Sequence, residues 1–161
     1  MRKRFRPRIN DQQVGIGAFL YGRGMYENMT AYWPTADQGP NATDYTLEWA
    51  RIWKAMPKVI FSTTLQKVEW NSRLVKENAA EEVRKLKAQP GKDLSVGGAN
   101  LAATFLRLGL VDEIQLFLQP VVLGRAKPFF PPLEHRPNLR LAETHAFASG
   151  VLFLRYQRKE E

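Results

Sequence analysis

The amino-acid order predicts an α/β protein with a mostly parallel central sheet and an antiparallel hairpin at its C-terminal end. Three observations carry that expectation. Strand-like and helix-like segments alternate through the first two thirds of the chain, the order expected of parallel crossovers. Strand then follows strand to the end. No repeat, low-complexity block or internal linker divides the 161 residues. A single domain of that size can bury roughly 70% of its unfolded surface.

Each element has its own warrant. Residues 9–15 admit a short helical turn. Ala18-Phe19-Leu20-Tyr21 is an apolar run stopped by Gly22, the pattern of a short buried strand. Met25, Met29 and Tyr32 recur at helical spacing across residues 23–32, and Trp33-Pro34 closes that helix. Residues 35–41 are rich in loop formers. Thr43 is suited to cap a helix running through Met56, with Leu47, Ala50, Ile52 and Trp53 on its apolar face and Pro57 behind it. Lys58-Val59-Ile60-Phe61-Ser62 is a second buried strand, and a weaker one is expected near Arg73-Leu74-Val75.

Residues 78–89 form a solvent-facing helix with Val83 and Leu86 on its buried side. Leu94-Ser95-Val96 is a short strand running through Gly97-Gly98 into a helix over 99–108, and Gly109 supplies a left-handed C-cap. Residues 113–123 are the longest strand-like run, where Pro120 implies a bulge or a sheet edge. Residues 139–147 and 151–156 form the last pair of strands, joined by Ala148-Ser149-Gly150.

Composition removes several classes of function. With 44% hydrophobic and 25% charged residues, wholesale disorder is excluded. The absence of cysteine excludes a disulfide scaffold, a thiol nucleophile and thiolate zinc. No apolar run approaches the roughly 18 residues that cross a bilayer, and no secretory pattern precedes the core, so a cytoplasmic setting without a membrane partner is expected. The formal charge of +8 is concentrated: Arg2, Lys3, Arg4, Arg6 and Arg8 supply five charges, leaving +3 for the remainder. Residues 1–8 therefore read as a flexible basic arm ahead of a domain over 9–158. A nucleic-acid-binding module resting on that arm is the weaker reading, and nucleic acid is not the expected partner.

Chemistry is expected at three strand ends. The joint Val96-Gly97-Gly98-Ala99 places two glycines between a strand and a helix N-terminus, where free N–H groups suit a phosphate. The plainer reading is a tight turn that needs positive φ. Tyr21-Gly22-Arg23 sets an arginine at the start of another helix, suited to a phosphate or to solvent. Ser62-Thr63-Thr64 supplies three hydroxyls beyond a third strand, suited to a ribose phosphate or to capping a turn.

Other motifs fail. Gly15-Ile16-Gly17 begins a G-x-G pattern that Leu20 does not continue, and neither a P-loop nor a G-x-S-x-G elbow is present. His135 and His145 are too far apart for a local metal motif, so no metal is expected. Asp112-Glu113 reads as the polar entrance to a strand rather than as a pair of catalytic acids. Trp33, Trp49, Trp53 and Trp70 read mainly as core residues.

In order, Ala18-Phe19-Leu20-Tyr21-Gly22-Arg23-Gly24-Met25-Tyr26-Glu27, Lys58-Val59-Ile60-Phe61-Ser62-Thr63-Thr64-Leu65 and Lys92-Asp93-Leu94-Ser95-Val96-Gly97-Gly98-Ala99 resemble the dihydrofolate reductase-like superfamily. Gly109-Leu110-Val111-Asp112-Glu113 and Pro120-Val121-Val122-Leu123-Gly124 narrow the resemblance to the riboflavin-biosynthesis reductase branch, over residues 9–158. The resemblance implies a dihydrofolate reductase-like three-layer α/β/α fold, a homodimer and NADPH as cofactor. It implies hydride transfer to a small heterocyclic substrate of pteridine, pyrimidine or ribosyl type, as in a 5-amino-6-(5-phosphoribosylamino)uracil reductase.

It also implies roles. Gly22 and Arg23 would hold cofactor phosphate, and Ser62, Thr63 and Thr64 the adenosine phosphate. Gly97, Gly98, Ala99 and Asn100 would cradle the pyrophosphate and the nicotinamide side. No carboxylate in these motifs is identified as a proton donor, so no catalytic residue is assigned. Met25 stands where a threonine is common. Members usually begin with a hydrophobic strand and a Ser-Leu-Asp-Gly-like segment at the sheet centre, and residues 1–8 stand in that place. The expected consequence is an unpaired position inside the sheet. A non-catalytic nucleotide-binding or assembly protein is the alternative.

Overall fold

The computed structural model describes residues 9–125, 128–134 and 136–159; the basic arm of residues 1–8 and His135 lie outside them. A helical turn and a 3-10 segment, Gln12–Gly15, lead into β1, Ile16–Gly22. The elements that follow are α1 (Arg23–Tyr32), α2 (Asp44–Ala55), β2 (Lys58–Phe61), β3 (Ser72–Val75), α3 (Ala79–Ala88), β4 (Asp93–Gly97) and α4 (Ala99–Arg107). Three strands complete the fold: β5 (Glu113–Leu118), β6 (Leu139–Ala146) and β7 (Leu152–Arg158).

The first four strands form a parallel sheet in the order β3-β2-β1-β4. Side chains alternate across a strand, and β1 shows the result. Phe19 and Tyr21 pack with Tyr26 of α1, Trp53 of α2 and Ile60. Leu20, between them in sequence, faces the other way and packs with Val59, Phe61, Val83 of α3 and Phe105 of α4. Helices therefore cover both faces, giving the expected three layers in the dihydrofolate reductase-like arrangement. β2 sits between two partners and is buried at all four positions, Lys58 included.

Lys58 is 1% exposed, yet all three ammonium donors are used. Its Nζ donates to the carbonyls of Trp53 at 2.5 Å, Met56 at 2.8 Å and Trp70 at 2.9 Å, and lies 4.2 Å from the Trp53 ring centroid. The side chain ties the end of α2 to the loop before β3. Burial lowers its pKa to about 8.

The remaining strands form an antiparallel sheet, β5-β7-β6, so the expected C-terminal hairpin belongs to a three-stranded unit. Its turn is closed by Phe147 N–H to Val151 O at 2.9 Å and Gly150 N–H to Phe147 O at 3.0 Å, with Gly150 at φ +84°. Arg155 spans the three strands, reaching Glu113 on β5 at 3.0 Å and Glu143 on β6 at 3.3 Å. Burial raises the Glu113 carboxyl, but hydrogen bonds from Gln115, Gln157 and Arg155 outweigh it and leave the group below the ordinary glutamate range.

Most boundaries shift by a residue or two from expectation, and three of the differences have a clear local cause. β1 begins at Ile16 rather than Ala18, because the 3-10 segment delivers the chain to the sheet two residues earlier. The second main helix stops at Ala55, with Met56 turned to ψ 127° ahead of Pro57. The run over 113–123 is a strand only to Leu118: Pro120 ends the pairing, and no bulge carries β5 beyond it. Among the described residues the two sheets share no strand pairing, and a cleft of about 1060 Å³ lies between β4 and β5.

Candidate functional site

Because β1 to β4 all run the same way, their carboxyl ends share one edge of the parallel sheet. Gly22 pairs with Phe61, Phe61 with Val75, and Tyr21 with Gly97. The loops leaving these residues are neighbours, with Gly22-Arg23 between the hydroxyl segment after β2 and the glycine turn after β4. Ligand sites of parallel sheets lie at such an edge.

Arg23 and the hydroxyl segment meet in one cavity. Its lining includes Arg23, Ser62, Thr63, Thr64, Lys76 and Asn78, around a space of about 430 Å³. Arg23 donates from Nη1 to Thr64 Oγ1 at 3.1 Å, and its Nε is held by Glu27 one turn along α1 at 2.7 Å. Ser62 Oγ accepts from the backbone N–H of Thr64 at 3.3 Å and of Leu65 at 3.1 Å. That turn projects the hydroxyls beyond the strand. Tyr26, also on α1, accepts the Glu69 N–H at its Oη at 2.8 Å.

The helices that begin at this edge share a property. Among the described residues, the N-cap positions of α1, α3 and α4 (Gly22, Asn78 and Gly98) make no side-chain cap bond. α2, which begins away from the strand ends, is capped: Thr43 Oγ1 accepts from Thr46 N–H at 3.3 Å. An uncapped start leaves backbone donors and the positive end of the helix dipole available to an anion.

The glycines are explained separately. A Cβ at Gly97 would stand 2.9 Å from the Tyr21 ring, and one at Gly98 would lie 3.2 Å from Met25 Cβ at a backbone φ of +98°. Packing and turn geometry therefore both require the pair, and the turn aims the start of α4 outward. At Gly22 a Cβ would meet Leu101 at 3.7 Å, an ordinary contact, so crowding does not explain that glycine. Ala99 and Asn100 are exposed in the first turn of α4. The structure thus joins Arg23 with Ser62, Thr63 and Thr64, and sets Gly97, Gly98, Ala99 and Asn100 on the far side of β1, outside that cavity. Burial of Tyr21 beneath Gly97 raises its phenol pKa, keeping it neutral.

Sequence reasoning missed Lys76 and Asn78, which follow the weakest strand signal in the chain. It also missed Tyr26 and Lys58 as tethers, since neither belongs to a local motif. The competing residues fall elsewhere. Asp112 pairs with Lys87 at 2.5 Å, and His145 stacks edge-on against Phe147 at 4.6 Å in the antiparallel sheet. Trp53 is fully buried, and Trp33 and Trp49 pack on the same core, while Trp70 is 40% exposed. Among the described residues no cluster of acids and histidines could hold a metal, and no helix is long and apolar enough to cross a membrane.

Comparison with known proteins agrees with this architecture. An uncharacterised Bacillus subtilis protein, YyaP, is 38% identical over 142 residues, covering 88% of this chain and 73% of that protein. A Shewanella sp. PV-4 structure, described as a candidate riboflavin biosynthesis protein, superposes with a TM-score of 0.70 at 20% identity, covering 90% of this chain and 75% of the other. Acinetobacter baumannii RibD superposes with a TM-score of 0.63 at 17% identity; 99% of this chain is covered, and it spans only 52% of that RibD. At these identities the two structures speak to the fold. The sequence profile of the RibD C-terminal domain matches residues 2–153. The chain belongs to the RibD C-terminal domain family, a reductase-like family of the dihydrofolate reductase fold.

Proposed function

We propose that the chain is an NADPH-dependent reductase that delivers hydride to a small pteridine-, pyrimidine- or ribosyl-type heterocycle, with 5-amino-6-(5-phosphoribosylamino)uracil reductase chemistry as the nearest pattern. The observation that carries the reading is the cavity in which Arg23 reaches Thr64 at 3.1 Å beside Ser62 and Lys76. Two cations and three hydroxyls around one concave space at a parallel-sheet edge match a phosphorylated ribose. In this reading Arg23, Ser62, Thr63 and Thr64 hold the adenosine phosphate. The N-terminus of α4, presented by Gly97 and Gly98 and continued by Ala99 and Asn100, takes the pyrophosphate, with Gly22 passing the chain between the two. NADPH, when bound, supplies the hydride. The chain's own residues orient it and exclude water.

The test is a thermal shift with NADPH and NADH in parallel, followed by NADPH titration of Arg23→Met and Ser62→Ala. NADPH raises the melting temperature more than NADH does. Each substitution weakens NADPH by about tenfold to a hundredfold, the worth of a hydrogen bond to a charged group. Equal shifts with both cofactors, or an unchanged NADPH affinity in both variants, count against the reading.

A second reading is favoured by the cleft beside β4: a nucleotide-binding or assembly protein without turnover. It binds NADPH yet gives no substrate-dependent oxidation of it. We also propose a homodimer in a cytoplasmic setting. Supporting the dimer is the exposed apolar surface of Leu118 at the end of β5 and of Val121, Val122 and Leu123 beyond it, with Phe129 and Phe130 exposed nearby in sequence. Light scattering that gives a monomer mass at micromolar concentration would remove that part.

A further inference from the structure

Arg23 is the first residue of α1, and Glu27 follows at the i,i+4 spacing, accepting from Arg23 Nε at 2.7 Å. Helix energetics alone do not favour that order. The N-terminal end of a helix is its positive end, where a cation is unfavourable, and an acid placed before a base pairs better than the reverse. α3 follows the rule, with Glu81 in its first turn and Lys85 one turn later at 2.7 Å. α1 inverts it and has no acid in its first turn. Both partners of the inverted pair are about half exposed, so the ion pair itself contributes little to stability. Its placement is better explained by what the guanidinium faces.

An arginine carries five N–H donors. Glu27 takes the one on Nε, and Thr64 Oγ1 takes one on Nη1 at 3.1 Å, so the plane of the fork is fixed at two points. The other three, one on Nη1 and two on Nη2, have no partner among the described residues, and Arg23 lines the cavity with Ser62 and Thr63. Glu27 stands outside that lining. The charges around the cavity nevertheless balance. Arg23 and Lys76 stand against Glu27 and Glu77, and Lys76 Nζ donates to the neutral Gln66 Oε1 at 3.1 Å. A phosphate there meets aimed donors rather than surplus positive charge.

We propose that Glu27 is a positioning residue for phosphate recognition at this edge: it aims the remaining Nη donors of Arg23 at a ribose-bound phosphate, and its own charge holds the cavity near neutrality. This role presupposes the reading of the cavity as a phosphate site. The two effects of Glu27 oppose each other. Orientation strengthens binding, because a guanidinium already fixed gives up little rotamer freedom when the ligand arrives. The carboxylate weakens binding, because a like charge close by repels the phosphate. Glutamine separates the two effects: its amide oxygen still accepts the Nε–H, and the charge is gone. Alanine removes both.

The experiment measures, by titration calorimetry, the affinity of NADPH and of adenosine 2′,5′-bisphosphate for the wild-type chain, Glu27→Gln and Glu27→Ala. Glu27→Gln binds both ligands about threefold more tightly than wild type, the worth of one screened like charge. Glu27→Ala binds them about fivefold to tenfold more weakly than Glu27→Gln, the freedom regained by one side chain. Without ligand the three proteins melt within about 2 °C of one another, as expected for an exposed pair. The role is overturned if Glu27→Gln binds no more tightly than wild type, or if the two variants have equal affinities. It is also overturned if Glu27→Ala melts well below Glu27→Gln without ligand, which assigns the pair to helix stability. NADPH binding that does not separate the variants overturns the role and keeps the cofactor reading. Bisphosphate binding in the expected order, with no binding of NADPH, supports the role and removes the cofactor reading. Binding of neither ligand removes both.

Discussion

β2 in the parallel sheet is buried at every position, while β6 in the antiparallel sheet has no fully buried residue. The contrast follows from what covers each sheet. Helices lie on both faces of the parallel half, and its two core clusters draw on all four of them. The antiparallel half gathers a small core of Phe147, Val151 and Phe153 with Phe117 against it, and leaves Leu118, Leu141 and Leu152 exposed. One half is finished on both faces and presents its chemistry at an edge. The other is held by a cross-strand charge network around Arg155 and keeps apolar area at its surface, the kind of surface that associates.

The strongest way to break this comparison is Lys58→Met. It keeps an apolar stem in β2 but leaves the carbonyls of Trp53, Met56 and Trp70 without their donor. A loss of about 3–5 kcal/mol in urea unfolding is expected, since each unsatisfied buried acceptor costs about 1–3 kcal/mol and part is recovered by relaxation. A loss below about 1 kcal/mol would show that the parallel half does not depend on this tether.

Next comes the pH dependence of the same residue. Folded Lys58 releases its proton near pH 8, whereas the unfolded side chain holds it to 10.5. Between those values the unfolded state binds more protons, so stability rises from pH 8 toward pH 10. Urea midpoints across that range check it, and Lys58→Met should flatten the slope. Gly97→Ala follows, because its Cβ would lie 2.9 Å from the Tyr21 ring. About 2 kcal/mol of destabilisation is expected from overpacking there.

Thr43→Ala removes the cap of α2 and costs about 1 kcal/mol. Asn78, at the start of α3, makes no cap bond but sits at φ +54°, a left-handed position that asparagine tolerates better than alanine. Asn78→Ala should therefore cost about 1 kcal/mol or less through backbone strain, and Asn78→Gly should be nearly neutral. The smallest effect belongs to the antiparallel half. Arg155→Met should cost about 1 kcal/mol or less, since its partly exposed ion pairs are weak and screened by salt.

The parallel half was legible because each of its elements is local: apolar runs ended by Gly22, Ser62 and Gly97, and helices closed by Pro34 and Pro57. Even the weak strand over Ser72–Val75 was placed near its observed position. The antiparallel half was less so. Residues 113–123 are uniformly strand-like, and composition alone does not reveal that pairing stops at Leu118, because pairing depends on β7, more than thirty residues away in sequence. The separation into two sheets is not legible in the sequence, which predicts one mostly parallel sheet ending in a hairpin. Arg23 and Thr64 are 41 residues apart, so their hydrogen bond was readable only as a shared sheet edge. Lys76, behind the faintest strand, gave no signal of its own.

Arg23 and Tyr26 lie one turn apart on α1 and grip residues 64–69 at both ends, through Thr64 Oγ1 and the Glu69 N–H. Lys58 holds the following carbonyl, that of Trp70. A loop staked at three points has already surrendered most of its conformational freedom before any ligand arrives. On the proposed reading, an anion entering beside Ser62 would meet donors that need little ordering, and its affinity would be reduced little by the entropy that a slack loop would forfeit on closing around it.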